Sequence, residues 1–157
     1  MGDVNFYHLT RSQPDTALAM IAGRALDRGW RVAVRTGSAD RARWLDERLW
    51  LTSDDGFLPH GLAGGAHDDL QPVLITTGAL PADRGCLVLM DGADVDAAAA
   101  MAAERTCVLF DGNDTAAVEF ARDQWRALTG AGLAAVYWSE EGGGWQKKAE
   151  TVARPAP

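Results

Sequence analysis

The chain of 157 residues has the length of one domain, and its 47% hydrophobic and 24% charged residues are those of an ordinary soluble globular protein. Fifteen Lys and Arg against 22 Asp and Glu leave a formal charge of -7, which argues against a protein that wraps a phosphate backbone. No apolar run approaches the ~20 residues that cross a bilayer. The start, Met1-Gly2-Asp3-Val4-Asn5, lacks a secretory pattern, and Cys86 and Cys107 are too few for a disulfide framework, so a cytoplasmic protein without membrane contact is expected.

Strand-like and helix-like periods alternate along the chain. Val4–Leu9 reads as a first strand. From Ser12 to Arg28, Ala17, Leu18, Ile21, Ala22, Ala25 and Leu26 mark one face of a helix, and Gly29 stands where it would stop. Trp30–Arg35 alternates as a strand does. Ser38 suits the cap of a second helix, Ala39 to Leu51, with Ala42, Leu45 and Leu49 at i, i+3 and i+7. From Thr52 to Pro72 the chain is rich in Asp, Gly and Pro, which predicts a long irregular loop. Four short apolar or β-branched runs follow, Val73–Thr76, Cys86–Met90, Thr106–Phe110 and Leu133–Trp138. Between them Asp94–Arg105 and Asn113–Thr129 read as helices, with Asn113 or Asp114 able to cap the second. This alternation predicts an α/β fold, a three-layer α/β/α sandwich around a mainly parallel sheet of about five strands. The expected division is a domain over 1–141 and a mobile tail over 142–157 that starts at Gly142-Gly143-Gly144.

Catalytic signatures are sparse. No G-x-x-x-x-G-K-[ST], G-x-G-x-x-G or G-x-S-x-G pattern is present. Metal ligands would have to come from His60, His67, Asp68 and Asp69 in one loop, where turn chemistry is the commoner use of Asp and Gly. No metal and no cofactor is therefore expected. Asp91-Gly92 at a strand end is either a ligand-facing carboxylate or a turn. Together with loop 54–69 it supports an alternative reading as a nucleotide- or small-molecule-binding enzyme.

Two constellations carry more information. Trp50 ends an apolar helical seam and is followed by Phe57-Leu58-Pro59-His60 in a polar loop; such rings either anchor a partner or cap the core. In Asn113–Thr129, Val118, Ala121, Trp125 and Leu128 form one seam, and Arg122 and Arg126 form a stripe beside it. Guanidinium forks beside an indole suit a carboxylate and an apolar side chain together, as in a short acidic peptide with an aromatic end. The plainer alternative is an amphipathic helix whose arginines pair with Glu119 or Asp123. Direct nucleic-acid binding would fall to Lys147, Lys148 and Arg154, few cations for a chain of this charge.

Taken together, Phe6-Tyr7-His8-Leu9, Gly29-Trp30-Arg31-Val32-Ala33-Val34, Leu45-Asp46-Glu47-Arg48-Leu49-Trp50, Phe57-Leu58-Pro59-His60, Pro72-Val73-Leu74-Ile75, Ala121-Arg122-Asp123-Gln124-Trp125-Arg126 and Ala131-Gly132 resemble the chi subunit of the bacterial DNA polymerase III holoenzyme. The most specific part is L-D-x-x-L-W followed by F-x-P-H, with Trp50 and Phe57 seven residues apart. The resemblance implies a non-catalytic linker of the clamp-loader assembly with an α/β/α fold. It further implies that Arg122, Trp125 and Arg126 meet the acidic carboxy-terminal tail of single-stranded DNA-binding protein. Val118 stands where another base is expected. Trp50, Phe57, Leu58, Pro59 and His60 fall on the surface that faces a psi subunit, or a helicase-like partner in some relatives. DNA would then be reached only indirectly.

Overall fold

A computed structural model describes residues 2–52, 59–142 and 144–153. In chain order they form β1 (Asp3–Leu9), α1 (Pro14–Asp27), β2 (Val32–Arg35), α2 (Ala39–Thr52), β3 (His60–Leu62), a 3-10 turn at Asp68–Leu70, β4 (Val73–Thr76), β5 (Cys86–Leu89), α3 (Ala97–Ala102), β6 (Arg105–Asp111), α4 (Thr115–Gly130), β7 (Ala135–Ser139) and β8 (Gln146–Thr151).

The helix ends follow local chemistry. The Ser38 hydroxyl accepts from the Arg41 N–H at 3.2 Å as α2 begins. The Asp96 carboxylate caps α3 through the Ala99 N–H at 2.7 Å, and Asp114 caps α4 through Ala116 and Ala117. α1 and α4 both end in paired bonds around a left-handed glycine. Trp30 N–H reaches Ala25 C=O and Gly29 N–H reaches Leu26 C=O past α1; Leu133 and Gly132 repeat the pattern onto Leu128 and Thr129 past α4. Gly29 (φ 81°) and Gly132 (φ 98°) hold the conformation that a side chain would strain.

Eight strands form one sheet in the order β3-β4-β2-β5-β6-β1-β7-β8. Every pairing is parallel except β7 with β8. The pleat sends alternate side chains to two cores. Val32, Val34, Cys86, Val88, Cys107 and Leu109 pack under α1 and α2, whereas Ala33, Leu87, Leu89, Val108 and Phe110 pack under α3 and α4. Leu18, Leu45 and Leu128, all but sealed from solvent, fix the helices to these faces. Truncating one of them to alanine would cost about 2–5 kcal/mol.

The expected sandwich is present, but its sheet has eight strands rather than about five. Two of them gave no periodic signal. β3 is three residues long and lies in the Asp/Gly-rich stretch that reads as irregular loop. β8 reads Gln-Lys-Lys-Ala-Glu-Thr because it is an exposed edge strand that buries neither face. It lies within the segment 142–157 expected as a mobile tail, and residues 146–151 instead pair with β7. The helix expected over Asp94–Arg105 is only the six residues of α3, since Ala103 turns extended and Arg105 already belongs to β6.

A buried arginine orders the chain before β4. Arg84 donates to the carbonyls of Asp68 (3.1 Å), Pro72 (3.3 Å), Val32 (3.3 Å) and Gln71. Burial lowers its affinity for the proton, and the neighbouring charge of Arg31 adds to that effect. Periodicity could not reveal this role, because one arginine in a turn-rich stretch reads as surface.

Candidate partner-binding surfaces

α4 lies on the sheet through Ala121 and Leu128, leaving two flanks. On the flank toward β7, Trp125 packs against Phe6 (ring centroids 5.4 Å apart) and Tyr137 (6.1 Å). Val118 is half-buried against the same core. The Tyr137 hydroxyl meets His8 Nδ1 at 2.9 Å. Arg122 is exposed, and among the described residues no carboxylate lies within ion-pair distance of it. Burial holds the Tyr137 phenol above its usual range, and the Arg122 charge pulls it the other way.

Arg126, by contrast, pairs with Asp123 at 2.9 Å, both groups largely in solvent. The structure thus brings Arg122, Trp125 and Val118 together and leaves Arg126 engaged on its own helix. His8 and Tyr137 complete this surface and were not singled out in the sequence. Their proximity depends on the parallel register of β1 and β7, in which Phe6 stands opposite Tyr137. A guanidinium one helical turn from an indole is suited to a carboxylate beside an apolar or aromatic side chain.

A second surface lies at the end of α2. Trp50 is 52% exposed and Leu51 73% exposed. His60 has no exposed side chain; its Nε2 lies 3.0 Å from the Asp46 carbonyl oxygen and 3.3 Å from Oδ1 of the same residue. Its ring sits under Trp50 at a centroid distance of 4.3 Å. His60 is therefore a support for this surface rather than part of its exposed face, and Pro59 is half-buried beside it. Leu51 joins Trp50 although the helical seam did not single it out. Phe57 and Leu58 lie outside the described residues.

The remaining candidates resolve into structure. The Asp68 carboxylate accepts from the Gly64 and Gly65 N–H groups at 2.9 and 3.0 Å, an ordinary loop closure. His67 and Asp69 are exposed, and among the described residues no three His, Cys, Asp or Glu side chains are grouped to hold a metal. Asp91 (φ 54°) and Gly92 (φ 80°) are the central residues of a tight turn closed from Ala93 N–H to Met90 C=O at 3.1 Å. The Asp91 carboxylate pairs with Arg41 at 3.2 Å. Asp91 lines a cavity of about 700 Å³, but none of residues 59–69 does, so that loop and Asp91 do not build one site. In β8, Lys147 pairs with Glu150 at 3.1 Å; Lys148 is exposed, and Arg154 lies outside the described residues. Cys86 and Cys107 are free and buried.

Glu140 is the most heavily bonded carboxylate among the described residues. Oε1 accepts from the backbone N–H groups of Thr10 (3.0 Å), Arg11 (2.8 Å) and Ser12 (2.7 Å), while Oε2 accepts from the Ser12 hydroxyl at 2.8 Å. Burial opposes its ionisation, but these four donors outweigh burial and hold the carboxyl below its usual range. The turn after β1 therefore has its own anion, supplied from the end of β7. No glycine-rich phosphate loop is needed to satisfy these amides.

An α/β/α sandwich with a basic and aromatic helix flank and a separate exposed tryptophan defines a sheet domain that offers two surfaces. The model of the family described as DNA polymerase III chi subunit, HolC, matches residues 1–136, and the chain belongs to that family. It is thus related to an accessory subunit of the DNA polymerase III complex, with a role in DNA replication. No curated protein matches the chain. Among the described residues no helix is long and apolar enough to cross a membrane.

Proposed function

We propose that the protein is a non-catalytic adaptor of the polymerase III clamp loader. It holds the acidic carboxy-terminal tail of single-stranded DNA-binding protein on the flank of α4 and a psi-type subunit, or a helicase-like equivalent, on the surface around Trp50. The tail site comprises Arg122, Trp125, Arg126 and Val118; the partner site comprises Trp50, Phe57, Leu58 and Pro59, with His60 as the buried support of Trp50. DNA is reached through the tail rather than by direct contact, in keeping with the charge of -7. The observation that carries this reading is Arg122, an exposed guanidinium without an ion-pair partner among the described residues, one helical turn from Trp125, whose ring packs against Tyr137.

Magnitudes shape the expected complex. Exposed ion pairs supply only about 0–1 kcal/mol each. A micromolar complex needs about 8 kcal/mol, so apolar burial of the tail's aromatic residue must supply most of it. Affinity is moderate and falls with salt.

The test is a calorimetric titration of a peptide copying that tail, with and without its last aromatic residue, against wild type and Arg122→Ala. Tight binding is expected only for the complete peptide with wild type. Equal affinities in all four combinations would refute the reading.

A further inference from the structure

On the other flank of α4 the sheet opens into the cavity of about 700 Å³ already noted beside Asp91. Its origin is topological. β5 and β6 send the chain to α3 and α4 on one face, whereas their neighbours β2 and β1 send it to α2 and α1 on the other. The outgoing segments diverge over the carboxy-terminal ends of β5 and β6 and leave a crevice, the place where open α/β sheets take ligands. At ~100° per residue Phe120 and Arg122 stand on opposite sides of α4, so this crevice is separate from the tail surface.

The walls have a definite chemistry. The floor is apolar, from Leu89, Met90 and Ala117, and the Phe120 ring lines it while remaining 36% exposed. Arg41 is fixed on one wall, its guanidinium 4.1 Å from the centre of the Trp44 ring and its Nε 3.2 Å from Asp91. Arg11 also lines the crevice and is exposed, its backbone tied to Glu140 and its guanidinium without a carboxylate partner among the described residues. The acids of the rim are largely engaged: Asp91 by Arg41, Asp114 by the first amides of α4, and one oxygen of Asp111 by the Asn113 N–H at 2.9 Å.

We propose that this crevice binds a mononucleotide, with the base against Phe120, the phosphate between Arg11 and Arg41, and a sugar hydroxyl on the remaining oxygen of Asp111. The volume suits such a ligand, since small-molecule sites span roughly 300–1,000 Å³. Glu140 already saturates the amides of the turn after β1, so the phosphate must be held by guanidinium side chains. The base gains an aromatic face that otherwise stands partly in water.

The test is an amide NMR titration of the full chain with AMP, adenosine and ribose 5-phosphate at millimolar concentration. AMP is expected to bind saturably, shifting the amides of Asp91–Ala93 and of Phe120 and Ala121, and to bind tighter than either fragment. Arg11→Ala should weaken AMP about tenfold and leave adenosine unchanged, as loss of charge-assisted hydrogen bonds implies. Phe120→Ala should weaken AMP by a similar factor through lost stacking. Both side chains are exposed, and an unchanged amide spectrum without ligand verifies the fold of each variant. Absence of a saturable shift with AMP, adenosine binding as tightly as AMP, or AMP binding to both variants as to wild type would each overturn the proposal.

Discussion

The indole of Trp50 lies across the imidazole of His60, with ring centroids 4.3 Å apart and planes inclined by 42°. One ring is half in solvent and the other is sealed. The pair links the end of α2 to the start of β3, and the outer ring is held by an inner one that is itself bonded to Asp46. An aromatic side chain presented from a fixed support binds a partner at little entropic cost.

The two residues should separate in mutagenesis. Trp50→Ala removes an exposed ring and is expected to change stability by less than about 1 kcal/mol, while abolishing capture of a psi-type subunit. His60→Ala removes a buried ring and its bond to Asp46, and should cost about 1–3 kcal/mol. Urea denaturation and a pull-down with the partner subunit read the two effects. Equal destabilisation by both variants would contradict this division.

Val118 sits one turn before Arg122, half-buried on the same flank of α4. Val118→Lys would add a cation on the tail path while its methylene stem covers the apolar surface that valine covers. Tail-peptide affinity should rise about two- to fivefold at low salt, the scale of one exposed ion pair. The gain should vanish at high ionic strength. Titrations at two salt concentrations test both parts.

Glu140 predicts an acid-sensitive link between the turn after β1 and the end of β7. Its carboxyl is held below the ordinary 4.5, so native Glu140 binds its proton less readily than the unfolded chain does. The stabilisation is therefore complete above the unfolded value and is lost as the pH falls through the lower native value. Glu140→Gln keeps one acceptor for three backbone donors and should destabilise by about 1–3 kcal/mol at neutral pH. Denaturation midpoints of wild type and variant should converge as the pH drops below 4.5.

Much of the architecture was legible in one dimension. The seams Ala17-Leu18-Ile21-Ala22-Ala25 and Ala42-Leu45-Leu49 bury as the helical period requires. Ser38 and Asp114 cap the helices they precede, and Gly29 ends the first. These features rest on contacts within a few residues, which a sequence displays directly. β8 and Arg84 were not legible for the opposite reason. A polar edge strand has no buried face to mark it, and a buried arginine is recognised only by carbonyls gathered from distant segments.

The candidate surfaces divide along the same line. Spacing and composition are enough to show that Arg122 and Arg126 share a stripe beside Trp125, that Trp50 ends an apolar seam, and that the chain is acidic and lacks the phosphate loops. The folded structure shows which of the offered pairs form, Arg126 taking Asp123 while Arg122 has no ion-pair partner among the described residues, and it sets Tyr137, bonded to His8, beside Trp125. It also decided that His60 supports Trp50 from below, that Glu140 fills the turn after β1, and that a crevice opens over β5 and β6. Helical spacing fixes which side chains share a face. Which rings gather beside that face depends on strand order and register, because those bring together groups more than a hundred residues apart.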